Sequence, residues 1–197
     1  MAKTIIFDLG GVLVQLDWDQ VCAPLARLSG LSYDTVMKEV RNGPVVEASM
    51  LGELTPQGFH RALCAKIHAD IAFDPFTDIW NGLLSADEDM ASLVAGLASE
   101  HRLVLASNTD AAHFAHCRKN FDVLRPFGRF FLSYEMGLLK PDPAYFHHVL
   151  DSLQTAPDDC IFIDDRLENV QSARTTGMNA LVFESIDKLR SDLRPAL

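Results

Sequence analysis

Apolar residues along this chain follow two rhythms, and the change between them divides it. Short unbroken runs occur at 4–7 (TIIF), 103–106 (LVLA), 129–132 (RFFL), 160–163 (CIFI) and 180–183 (ALVF). Runs this short, rich in β-branched and aromatic residues, predict buried strands. Between them the spacing becomes helical. Met90, Leu93, Val94 and Leu97 fall on one helix face, as do Phe146, Val149, Leu150 and Leu153. Asp142 and Pro143 supply a cap and a first helical residue for the second of these. Further helices are predicted over 111–119 and 166–176, the latter ended by Gly177. Continuously apolar strands alternating with helices predict an α/β fold, a doubly wound, mostly parallel five-stranded sheet covered on both faces.

The stretch after the first strand breaks this alternation. Residues 18–28, 33–40, 56–67 and, more weakly, 76–84 read as helices with no strand among them. Breaks fall at Ser29-Gly30, at Asn42-Gly43-Pro44 and at Gly52, and Thr55-Pro56 is a good helix start. Residues 15–85 therefore read as a helical insertion in a core made of 1–14 and 86–197. Trp18, Phe59, Phe73, Phe76 and Trp80 are expected to form its interior, with one or two facing a pocket.

Composition narrows the partners. The 197 residues are 48% hydrophobic and 22% charged, enough for a sizeable core, and the net charge of −10 disfavours a nucleic acid or a membrane surface. The four cysteines show no C-x-x-C spacing and sit in apolar surroundings, as reduced thiols do. With no leader or long uncharged apolar segment at its start, the chain is expected in the cytoplasm.

Candidate chemistry lies at the strand ends. Asp8 follows the first strand and precedes two glycines, Ser107-Asn108 follows the second, and Asp164-Asp165 follows the fourth, while Lys140 stands in a loop before Pro141. In a parallel sheet all these ends share one edge, where open α/β sheets bind ligands. Carboxylates brought together there need a cation between them, and oxygen donors suit Mg²⁺. Lys140 adds charge for a phosphoryl group. Each residue also has a plainer reading. Asp8 suits a turn, Ser107 a helix cap, Asp165 a capping box with Glu168, and Lys140 a solvated surface. His113, His116, His147 and His148 read as surface residues, lacking a third partner for a transition metal.

The order of these groups, Asp8-Leu9-Gly10-Gly11-Val12, Ser107-Asn108, Lys140-Pro141-Asp142-Pro143 and Asp164-Asp165, resembles the four motifs of the haloacid dehalogenase-like hydrolase superfamily. The resemblance runs from Ile5 to about Gly177, and the insertion looks like that superfamily's small α-helical cap on a Rossmann-like core. It implies a Mg²⁺-dependent phosphatase of small phosphorylated metabolites working through an aspartyl-phosphate. Asp8 would be the nucleophile and Lys140 its charge partner. Ser107 and the Asn108 backbone N–H would bind the phosphoryl oxygens. Asp8, the Gly10 carbonyl, Asp165 and Asp164, the last directly or through water, would hold the metal.

One position departs from the pattern. Most phosphatases of the superfamily carry a second Asp two residues after the nucleophile as general acid and base, where this chain has Gly10. That help is worth roughly 10²–10⁴ in rate. A D-x-G branch resembling glucose-1-phosphatase-like enzymes shares the feature, which points to sugar phosphates. Asp17 is a candidate replacement, although Asp17 or Asp19 also suits the cap of the next helix. The alternatives are a metal-independent 2-haloacid dehalogenase, which has no use for the Asp164-Asp165 pair, and a catalytically weakened phosphate-binding protein. A receiver-type signalling domain would keep its acidic pair after the first strand and does not fit.

Overall fold

The computed structural model describes residues 2–196. The chain opens with β1 (Thr4–Phe7), turns through Gly10 and Gly11, and continues as β2 (Val14–Leu16). Five helices follow: α1 (Asp19–Ser29), α2 (Tyr33–Asn42), α3 (Pro44–Met50), α4 (Pro56–Ile67) and α5 (Phe73–Asn81). Then come β3 (Leu84–Ala86), α6 (Glu88–Leu97), β4 (Arg102–Ser107), α7 (Ala111–Asn120) and β5 (Arg129–Leu132). The short α8 (Ser133–Met136), α9 (Pro143–Leu153), β6 (Cys160–Asp164), α10 (Leu167–Thr175), β7 (Asn179–Val182) and α11 (Ile186–Leu193) complete it.

Five strands form one sheet in the order β5-β4-β1-β6-β7, every neighbouring pair parallel. The chain winds outward from β1 to one edge, then returns to fill the other, so the switch point lies at the carboxyl end of β1. There an α/β sheet opens a crevice. Register decides what stands in it. Phe7 is level with Leu105 on one side and Ile163 on the other, so Asp8 comes level with Ala106 and Asp164. Alternation along a strand then turns Asp8 and Asp164 to the same face. That face is lined by Ile6, Val104 and Phe162, which form one buried cluster with α9 residues Phe146 and Val149. The opposite face carries Ile5, Phe7, Leu105 and Ile163, whose cluster continues without a break into Val36, Phe59 and Trp80 of the helical stretch.

Local signals explain most helix ends. Thr55 Oγ1 accepts from the Gly58 N–H at 3.1 Å with Pro56 in the first turn of α4. Asp142 Oδ1 accepts from the Ala144 N–H at 2.8 Å at the start of α9. Asp17 Oδ1 takes the Asp19 N–H at 3.0 Å where α1 begins.

Two expectations are corrected and one is extended. The stretch between β1 and α6 does contain strands: β2 and β3 pair antiparallel, Val14 with Ala86 and Leu16 with Leu84, closing the insertion at its base. The break expected at Asn42-Gly43-Pro44 does fall there, between α2 and a helix the spacing did not predict, α3, which Pro44 opens. The last strand begins at Asn179, one residue earlier than the apolar run, and is followed by α11, whose Leu189 and Leu193 return to the core. All four cysteines are buried thiols. No helix of the described residues is long and apolar enough to cross a membrane.

Candidate active site

Lys140 is the hub of the rim. Its side chain is buried, and the ammonium makes three bonds: to Asp8 Oδ1 at 2.9 Å, to Asp164 Oδ2 at 2.7 Å and to the Ala106 carbonyl at 2.8 Å. An ammonium has three N–H donors, so all are committed. The solvated-lysine reading is thereby overturned. Asn108 holds this lysine by its backbone, donating from Nδ2 to the Lys140 carbonyl at 2.7 Å and accepting at Oδ1 from the Lys140 N–H at 2.9 Å.

The carboxylates outnumber their counter-ion. One oxygen each from Asp8, Asp164 and Asp165 lies within 4.8 Å of the others. Burial pushes the Asp8 carboxyl up to about 7, Lys140 pulling it down and Asp164 pushing it further up. Asp165 is raised as well, by burial and then by Asp164. Lys140 stays charged, because the two carboxylates outweigh the burial that would lower it. The group therefore lacks positive charge, and its donors are all hard oxygens, which fits a divalent cation. The backbone makes room for this: Gly11 sits at φ +77°, and a Cβ there would lie 2.6 Å from Asp165 Oδ2.

Asp164 is the best-anchored member. Oδ1 accepts from the Arg166 N–H at 2.9 Å and from Asn169 Nδ2 at 3.0 Å, and Oδ2 accepts from Lys140 and from the same Asn169 amide at 3.0 Å. The capping box predicted for Asp165 does not form: Arg166 occupies the cap position without a side-chain bond, and Glu168 pairs with the Arg166 side chain instead. Ser107 is not a cap either. Asp110 caps α7, accepting from the Ala112 and His113 N–H groups, and leaves Ser107 buried at the cavity floor. Asp17 is exposed, spent on the start of α1, and is not among the residues around the cavity. Asp17 therefore does not stand in for an acid at position 10.

A cavity of about 440 Å³ opens above these groups. Asp8, Gly10, Ser107, Asn108, Lys140 and Asp165 border it from the sheet edge, and Trp18 and Trp80 face it from the helical stretch. Trp80 also ties the two sides together. Its Nε1 donates to Asp110 Oδ2 at 3.0 Å, and its ring stacks on His113 at 4.6 Å between centroids. His113 Nδ1 lies 3.1 Å from Asp110 Oδ2, and Nε2 lies 2.8 Å from the Trp80 carbonyl. His113 is thus buried, not a surface residue. Both its ring nitrogens face acceptors, so the imidazolium is the satisfied form.

The titration of this link has a definite sign. Burial works against the His113 cation, but Asp110 and the Trp80 carbonyl raise its pKa above the ordinary value, while His113 and Trp80 draw Asp110 down to about 2 despite burial. Its stabilisation is complete between about pH 4 and 6.5, the ordinary values of the two groups. It is lost as pH rises through the elevated His113 value or falls toward 2. The Tm gap between the wild type and His113→Gln is therefore expected to be widest near pH 6 and to narrow at higher pH. Thermal melts across pH 5–9 measure it, and a constant gap would refute the link.

A profile of the haloacid dehalogenase-like hydrolases matches residues 2–177. The chain belongs to that family. Among relatives of this haloacid dehalogenase-like hydrolase, D-ribitol-5-phosphate phosphatase of Bacteroides thetaiotaomicron is 24% identical over 201 residues, covering 98% of this chain and 97% of the relative. Sesquiterpene phosphatase astK of Aspergillus oryzae is 30% identical over 185 residues, 91% of this chain and 88% of the relative. The crystal structure of family enzyme bt-2542 from Bacteroides thetaiotaomicron, in complex with magnesium and inorganic phosphate, superposes with a TM-score of 0.85 at 24% identity, over 96% of this chain and 99% of that one. That likeness establishes the shared fold of this haloacid dehalogenase-like hydrolase.

Sequence reasoning missed Asn169, Asp110 and the linking role of Asn108. Asp110 before an alanine-led helix is a readable cap. Asn169 carried no signal beyond its place one helical turn after the acidic pair.

Proposed function

We propose that this chain is a Mg²⁺-dependent phosphomonoesterase acting on small phosphorylated molecules through an aspartyl-phosphate on Asp8. The observation that carries the reading is the buried Lys140 bridging Asp8 and Asp164 beside Asp165, three carboxylates to one ammonium at the sheet rim. A metal-free dehalogenase would have no cation to balance that excess. The named phosphatase relatives support the reaction class.

Asp8, Asp165 and the Gly10 carbonyl would hold the ion, with Asp164, already engaged by three donors, acting through water. When bound, Mg²⁺ would neutralise charge on the transferring phosphoryl group. The remaining steps belong to the chain's own residues. An Asp8 oxygen attacks phosphorus in line, the Asp8–phosphorus bond forms, and the bond to the leaving oxygen breaks with its electron pair going to that oxygen. Lys140 keeps Asp8 oriented, and Asn108 keeps Lys140 in place. Ser107 and the Asn108 N–H bind the phosphoryl oxygens. Water then attacks phosphorus, freeing phosphate and regenerating the Asp8 carboxylate. In this reading residues 15–85 are the cap that shields the site on a core of 1–14 and 86–197. The buried thiols suit a reducing compartment such as the cytoplasm.

Mixing the protein with p-nitrophenyl phosphate tests the reaction class. Release of p-nitrophenol that appears with Mg²⁺, disappears with EDTA and returns on adding Mg²⁺ is the expected result. Thermal stabilisation by Mg²⁺ and phosphate without turnover of any phosphate would instead show a binding protein.

A further inference from the structure

Gly10 leaves a gap in the catalytic pattern, and the fold fills it with hydrocarbon. A Cβ built on Gly10 would lie 3.3 and 3.5 Å from the two methyls of Leu16 and 3.7 Å from its Cγ. The side chain that would carry a proton to the leaving group is thus replaced by an isobutyl group borne on β2. The titratable groups around the cavity are otherwise engaged, and Asp165 belongs to the acidic cluster that would hold the metal. Lys140 commits its three N–H bonds to Asp8, Asp164 and Ala106. His113 commits both ring nitrogens, Asp110 is an ionised acceptor, and Glu168 is held by Arg166.

The wall around that point has the same character. Leu16, Trp18, Val46, Met50 and Leu84 face the cavity from the helical stretch, which contributes no carboxylate and no hydroxyl to it. Its polar members are Asn42 and Arg41, whose guanidinium lies 5.6 Å over the Trp18 ring. Polyol hydroxyls lodged against such a wall would lose water and find partners only at Arg41 and Asn42, whereas a flat apolar group would gain contact area.

We propose that the site selects phosphate monoesters of aromatic alcohols, whose leaving oxygen departs as a stable anion and whose ring fits the Leu16–Trp18 wall. The inference rests on the phosphatase reading and narrows its substrate class away from sugar phosphates. In the step concerned the bond between phosphorus and the phenolic oxygen breaks, the oxygen keeps the electron pair, and the phenolate takes its proton from solvent after it leaves. A sugar alkoxide, far more basic, would need the proton that Leu16 cannot supply.

The test is the dependence of kcat/KM on the leaving group, with Mg²⁺ at constant pH. Wild type is expected to hydrolyse p-nitrophenyl phosphate about 10-fold or more faster than phenyl phosphate, and aryl phosphates about 10²-fold or more faster than glucose 6-phosphate or ribitol 5-phosphate. Phenylphosphonate should raise the Tm more than methylphosphonate at equal concentration, a binding readout independent of turnover. The double variant Gly10→Asp with Leu16→Ala should flatten the leaving-group dependence. Equal turnover of polyol and aryl phosphates, or equal stabilisation by the two phosphonates, overturns this inference and leaves the phosphatase reading standing. No turnover of any phosphate overturns both.

Discussion

Asp8→Asn is expected to lower kcat by at least about 10⁴-fold while leaving a folded protein. The amide has nearly the volume of the carboxyl group and can still accept from Lys140, so the packing survives. Asn is too poor a nucleophile to take the phosphoryl group. The charge balance points the same way. Burial already pushes Asp8 toward protonation, so exchanging it for a neutral group removes one of three crowded carboxylates without stranding a cation, because Asp164 still pairs with Lys140. Steady-state assays with p-nitrophenyl phosphate, together with a thermal melt, measure both effects. Residual activity above a few per cent of wild type would sink the assignment of Asp8 as nucleophile.

Lys140→Ala should strike stability hardest. It leaves Asp8 and Asp164 facing each other across a buried site with no counter-ion, removes the donor to the Ala106 carbonyl and empties the space above the Phe162 ring. Breaking one side of a buried ion pair typically costs about 3–5 kcal/mol. For a chain of this size that is a fall in Tm of roughly 10 °C. Mg²⁺ should recover part of the loss by supplying charge to the same carboxylates, and Lys140→Arg should recover less than its charge suggests, since the planar fork cannot point three ways as the ammonium does. Differential scanning calorimetry with and without Mg²⁺ decides it; an unchanged Tm in EDTA would mean the lysine carries none of the rim's stability.

What could be read from the chain beforehand follows from how local each signal is. The central strands and α4, α7 and α9 announce themselves through unbroken apolar runs, Pro at the first turn and capping residues, all within a few positions. The candidate groups at strand ends were legible for the same reason: parallel strands share an edge, so order along the chain becomes proximity in space. Pairings across distance were not legible. β2 and β3 are three residues each and become strands only because the 67 intervening residues bring Leu16 opposite Leu84. His113 read as a surface residue because no third ligand joined it and His116, and its burial depends on Trp80 arriving from α5. Leu16 fell inside the stretch read as the helical insertion, with nothing to say that its methyls stand against Gly10.

Because Asp8 and Asp164 meet only through the match of Phe7 with Ile163, the four residues of β1 behave as a ruler. Adding or deleting one residue there would rotate the carboxylate to the underside of the sheet, away from Lys140. Changes in length at the opposite edge, where β4 and β6 begin, move no catalytic atom. In a lineage drifting under selection for turnover, indels should therefore accumulate at that far edge and in the helical stretch, while the spacing from Thr4 to Gly11 stays frozen.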